Sequence, residues 1–212
     1  MNELQECHRL VWAFRKEIEP YWATPDPLNS LRYAFCEAAE AMDAWLRAER
    51  PSDSRNNDRQ NDVLDELADC AIMLLTAVNF NEIKSQSNDR YDTDFVFFRA
   101  MKPERHRLEV LSSQVANAAL CARNDSDETS SIYLGWIHDA VMSLGWIASY
   151  PQMELKQRIQ GRLERIVKKH APLDKQKTIC EKVGITCLLA EEIKELRKQH
   201  LANLGIANEP PM

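Results

Sequence analysis

Two pairs of carboxylates stand at helical spacing in one segment of this chain, Glu37 with Glu40 and Glu66 with Asp69. Residues three apart on an α-helix share a face, one turn from each other, so each pair can grip a hard cation from one side. At about 100° per residue, Leu31, Ala34, Phe35, Ala38, Met42 and Trp45 define an apolar stripe centred near Ala38. Val63, Leu64, Leu67, Ala71, Leu74 and Val78 define a second, centred near Leu67. Measured from those centres, Glu37 and Glu66 both fall about 100° to one side, and Glu40 and Asp69 about 160° round on the same side. Acid pairs of this kind also occur on plain solvated helix faces. The matched flanks, with small neighbours Ala38, Ala39, Ala41, Ala68 and Ala71 permitting close approach, favour a shared cleft. Four carboxylates in one cleft repel one another, and burial would force some to protonate. A divalent cation removes that conflict, and an all-oxygen donor set selects Mg²⁺, Mn²⁺ or Ca²⁺ over zinc or copper. Mg²⁺ keeps several waters and bridges to substrate phosphates, which suits phosphate-ester chemistry.

The elements that must position these acids are helices. Only five glycines are present in 212 residues, too few for the turns of a sheet-rich fold. Apolar periodicity predicts a first helix over residues 3–19, with Leu10, Val11, Phe14 and Ile18 at helical spacing. The three prolines between Pro20 and Asn29 predict a turn or extended connection. A second helix follows over 30–50, closed by Pro51, and the polar run 51–61 is expected as an exposed loop. Further helices are expected over 62–83, 103–123, 132–149, 151–170 and 174–204, with a polar connection at 84–94 and another loop at NDSDETSS. The tail after residue 205 is expected to be disordered.

The fold class that follows is all-α, one helical-bundle domain over residues 1–212. Two helical hairpins form a four-helix core, with N- and C-terminal helices flanking it. Residues 1–94 carry the acid motif. Residues 95–205 are a candidate degenerate repeat: setting Asp69 against Asp139 aligns LADCAIMLLTA with IHDAVMSLGWI, and setting Arg47 against Arg123 aligns the preceding helices. Ser113, Ala116 and Trp136 then stand where Glu37, Glu40 and Glu66 stand in the first half. Any two amphipathic hairpins align comparably, so the repeat stays open; either way, one metal cleft per chain is expected.

Composition bounds the rest. The net charge of −6 argues against general nucleic-acid binding, which needs a basic surface, but not against a small anion bridged by a metal. The first ten residues lack the apolar core of a secretory signal and no apolar run spans a bilayer, so a cytoplasmic protein with no membrane partner is expected. Six scattered cysteines without CxxC spacing suit buried reduced thiols better than disulfides or zinc. No glycine-rich phosphate loop is present. The basic stretch KQRIQGRLERIVKKH is expected as an exposed helix face, able to meet phosphate or a second subunit. Trp22 and Tyr33 suit base stacking, although aromatics on amphipathic helices more often pack in a core.

The segment from Leu10 to Phe80 resembles the MazG-type all-α nucleoside triphosphate pyrophosphohydrolases, a superfamily that is similar to dimeric dUTPases and dCTP pyrophosphatases. Its signature is ExxE, a spacer, then ExxD, here Glu37-Ala-Ala-Glu40 and Glu66-Leu-Ala-Asp69 followed by the apolar CAIMLL. Trp22 and Pro27-Leu28-Asn29 precede the motif as an aromatic and a P-x-N element do in the dCTPase branch. The resemblance implies that Glu37, Glu40, Glu66 and Asp69 are catalytic metal ligands for Mg²⁺. It also implies hydrolysis of a (deoxy)nucleoside triphosphate to the monophosphate and pyrophosphate, in a homo-oligomer, a dimer in the simplest case. Many members carry one more glutamate just before the first motif acid. Cys36 stands there in this chain, leaving Asp43, Asp62 or Asp65 as substitutes. A K-x-x-x-N-x-x-R-Y element is only approximated by Lys84, Asn88, Arg90 and Tyr91; with Trp22, the first three are the expected substrate contacts. Two other readings stay open, a specialised pyrophosphohydrolase such as the phosphoribosyl-ATP type and a non-catalytic helical interaction protein.

Overall fold

The computed structural model describes residues 3–48, 56–80, 105–121, 127–148 and 154–186. Among the described residues there are seven helices and no strand: α1 (Glu3–Ile18), α2 (Pro27–Ala48), α3 (Asn56–Phe80), α4 (Arg105–Cys121), α5 (Asp127–Ala148), α6 (Leu155–His170) and α7 (Leu173–Val183). The all-α expectation holds. The helix α2 packs most extensively on α3, α4 on both α2 and α5, and α3 touches α5, closing a four-helix core of two hairpins. Helices α1, α6 and α7 flank it, α1 and α6 both lying against α3. No described helix is long and apolar enough to cross a membrane.

The core is built from the predicted stripes. Leu31, Ala34, Ala38 and Ala41 of α2 are buried, as are Val63, Leu67, Ala71 and Leu74 of α3. Alanines at Ala38, Ala41, Ala68 and Ala71, all essentially inaccessible, let the α2 and α3 backbones approach closely and bring their flanks together. Helix α3 is buried almost all round between Cys70 and Ala77, as befits an element enclosed by α1, α2, α5 and α6.

Several boundaries depart from expectation, each for a local reason. Helix α2 begins at Pro27, inside the stretch expected to be irregular. Asp26 caps it, its Oδ1 accepting the Asn29 N–H at 2.8 Å, and Pro27 occupies the first helical position, where a missing N–H leaves nothing unsatisfied. Helices α3 and α5 begin at Asn56 and Asp127, inside runs read as loops. Neither run has a proline or glycine after those points, and polar residues alone do not stop a helix. The last described helix stops at Val183, far short of residue 204, because Gly184 adopts φ 78°. The amides of Gly184 and Ile185 both donate to the Cys180 carbonyl, at 2.9 and 3.0 Å, and this left-handed cap favours glycine. Of the cysteines, Cys7, Cys70 and Cys180 are buried as expected, whereas Cys36 is exposed and Cys121 half-buried, and none of these five is bridged.

Candidate metal centre

Glu37 and Glu40 on α2 and Glu66 on α3 each offer a carboxylate oxygen within 4.8 Å of the other two. Ligands on opposite sides of a Mg²⁺ ion lie about 4.2 Å apart and those around Ca²⁺ up to about 4.8 Å. The triad therefore has the dimensions of one hard-cation coordination sphere. Among the described residues no basic side chain forms an ion pair with any of the three, although the neighbouring acids Asp43, Asp65 and Asp69 are all paired with arginines. Burial, the charges of Glu40 and Glu66, and a hydrogen bond with Glu66 raise the Glu37 carboxyl from 4.5 to about 7, against a smaller opposing pull from Arg162. A carboxyl held so far from its ordinary value marks an electrostatic conflict that a divalent cation would relieve. The donor set and its spacing fit such an ion.

Asp69 stands apart from this cluster. Its two oxygens accept the fork of Arg162 on α6, Nε to Oδ1 at 2.7 Å and Nη2 to Oδ2. One turn earlier Asp65 accepts Arg158 at 3.0 Å, with Arg162 and Arg165 at 3.8 and 3.9 Å. The basic stretch is thus no simple exposed face. Leu155, Ile159, Leu163 and Val167 bury one side of α6, and its arginines flank that side, turned toward the acids of α3. The proposed substitutes for the missing glutamate do not join the triad: Asp43 pairs with Arg47 at 3.0 Å, Asp65 is engaged as above, and Asp62 is exposed.

A cavity of about 680 Å³ opens beside the triad, with Glu37 and Asp69 in its wall. Ile72 and Met73 of α3 supply an apolar face, Arg162, Arg165 and Lys169 of α6 a basic one, and Tyr33 and Trp22 aromatic surface. Trp22 reaches the cavity from the α1–α2 connection, which is tied by the Thr24 amide and hydroxyl donating to Glu19. The Trp22 ring is already engaged, stacked on His170 at 5.0 Å and covered by the Arg15 guanidinium at 4.7 Å. Tyr33 is about half exposed and so presents the freer aromatic surface. The thiol of Cys70 is pushed up to about 12 by burial and by the charge of Glu37, which keeps it protonated and unreactive. Lys84, Asn88 and Arg90 lie outside the described residues.

No protein-family model, curated protein or solved structure matches the chain.

Two features of the site were not singled out from sequence. Arg15 is only 4% exposed; Nε donates to Thr76 Oγ1 at 3.0 Å and Nη2 contacts Met73 Sδ at 3.5 Å, while Nη1 has no hydrogen-bond partner. Burial lowers its pKa to about 10, opposed by Glu19, so it stays charged near neutrality. A signal existed: Arg15 lies four residues after Val11 and three before Ile18, within the buried stripe of α1. The second feature is the inward part of the basic stretch already visible in the sequence: Arg158, Arg162, Arg165 and Lys169, at steps of four, three and four residues, form one stripe on α6, and its pairing with the acids of α3 is what the sequence does not show.

Proposed function

We propose that this chain is a Mg²⁺-dependent nucleoside triphosphate pyrophosphohydrolase, hydrolysing a (deoxy)nucleoside triphosphate to the monophosphate and pyrophosphate. The observation that carries this reading is the gathering of Glu37, Glu40 and Glu66 without a counter-cation beside a cavity lined by cationic and aromatic side chains. The ExxE and ExxD spacing, which resembles the MazG-type signature, supports it independently.

On this reading Glu37 and Glu40 of α2 and Glu66 of α3 would hold a divalent ion, with Asp69 the fourth acid of the motif. Such an ion, when bound, would supply charge neutralisation for phosphate oxygens and would make water more acidic. The chain's own contribution is placement. The alanine-lined α2–α3 contact fixes the three carboxylates relative to one another. Ile72 and Met73 keep one cavity wall dry, and Tyr33 offers a face for the base. Water adds to one phosphorus of the α–β anhydride and gives up a proton, the α–β anhydride bond breaks, and the nucleoside monophosphate and pyrophosphate separate.

The test is incubation of the protein with Mg²⁺ and a panel of ribo- and deoxynucleoside triphosphates, with detection of pyrophosphate. Glu37→Gln and Glu66→Gln should each lower turnover by about a hundredfold or more while leaving the helical circular-dichroism signal in place. Release of orthophosphate in place of pyrophosphate would identify a different bond, and retained turnover in both variants would sink the site assignment.

A further inference from the structure

We propose that the basic stripe of α6 is the binding wall for a condensed phosphate chain, and that Arg162 exchanges its fork between Asp69 and that chain. The inference rests on the metal reading of the three glutamates but draws on other residues, chiefly the cations of α6, with Arg15 and Asp69 from the first half of the chain.

The local charge balance is the first argument. Three cations of α6, Arg162, Arg165 and Lys169, face the cavity, and the nearby acids of α3 do not absorb them all. Asp65 holds Arg158 at 3.0 Å and reaches Arg165 only at 3.9 Å, where the Arg165 side chain is 68% exposed. Asp69 is occupied by Arg162. Lys169 has no ion-pair partner among the described residues. Arg15 adds a second, independent observation. Its guanidinium is buried, lacks a carboxylate within bonding distance, has a free Nη1, and touches Trp22 and Met73, two residues of the cavity wall. A buried unpaired cation is costly to the fold, and here it lies directly behind the cavity. In a chain of net charge −6, the α6 wall thus gathers three cations across the cavity from Asp26, Glu37 and Asp69, with Arg15 behind it.

The ligand chemistry follows from the spacing. Cations at successive turns of one helix form a row, which matches a chain of phosphates better than a single anion. An arginine fork binds carboxylate and phosphate by the same paired geometry. A phosphate oxygen pair can therefore take Arg162 from Asp69. Once released, Asp69 lies one turn from Glu66, on the flank that carries the metal-binding acids. Phosphate arrival and completion of the acid set become one event.

The experiment has two arms. In EDTA, binding of inorganic tripolyphosphate is measured by calorimetry for the wild type, Arg165→Gln and Lys169→Gln, with a nucleoside triphosphate run in parallel to separate a nucleotide ligand from a free phosphate chain. Each substitution at these exposed positions should weaken binding about tenfold, and added salt should weaken the wild type. Unchanged affinity in both variants, or no binding by the wild type, overturns the proposal. In the second arm Mn²⁺ binding is measured without phosphate. Arg162→Gln should tighten it severalfold by releasing Asp69, while weakening tripolyphosphate binding; a purely structural arginine would weaken both, and that result overturns the exchange. Glu37→Gln should lose Mn²⁺ but retain tripolyphosphate in EDTA, so failure of the metal reading and failure of the phosphate wall give different results.

Discussion

Glu37 holds a proton that an ordinary surface glutamate would have lost. Its carboxyl is raised from 4.5 to about 7, so between those values the folded metal-free chain binds a proton that the unfolded chain has released. Stability in EDTA therefore falls as pH rises through that window and levels off above it. Denaturant midpoints taken at about pH 5 and about pH 8 should show this decline in the wild type and a smaller one in Glu37→Gln; equal declines would refute the burial and repulsion argument. Mg²⁺ should reverse the trend, binding more tightly as pH rises because it displaces the proton. At this scale the sequence was informative wherever partners were close in the chain. Glu37 and Glu40 are one turn apart, and the apolar stripes placed Glu66 on the matching flank. The same arithmetic puts Asp69 on their flank, but helical geometry says nothing about a partner 93 residues away, and the Arg162 fork holds its carboxylate.

Among the helices, type was legible and boundaries were less so. Long apolar stripes announce α1, α2 and α3, whereas starts set by one capping residue, as at Asp26, are overridden by the nearby prolines. The sequence does not announce the stop at Gly184, because the charged run after that glycine keeps a helical pattern of residue types. Gly184 has open space around it, so a side chain there would meet no clash and only the backbone conformation at φ 78° would resist. Gly184→Ala should accordingly destabilise by about 1–2 kcal/mol, read as a lower thermal midpoint with unchanged Mn²⁺ and tripolyphosphate binding. No shift in midpoint would mean that α7 does not need this cap. In α6 the charge density masks an apolar stripe, Leu155, Ile159, Leu163 and Val167, that makes the helix part of the packed body rather than an exposed face.

Taken whole, the molecule sets the α2–α3 hairpin, with its acids, against a basic helix from the second half. Arg15 lies behind the cavity they share. Replacing Arg15 by Met removes a buried charge that has no ion-pair partner, so stability in EDTA should be unchanged or rise by about 1–2 kcal/mol, while tripolyphosphate affinity falls. A thermal midpoint lowered together with unchanged affinity would mean that the guanidinium serves the fold alone. The dependence of α3 on α6 also has a consequence in time. Asp65 and Asp69 reach their arginines across 93 residues, and synthesis proceeds at about 5–20 residues per second. The acidic hairpin therefore leaves the ribosome roughly 5–20 seconds before its neutralising helix exists. During that interval Asp65 and Asp69 lack the arginines that hold them in the folded chain, so whatever screens them must come from the earlier segment, whose own arginines include Arg47, or from solution.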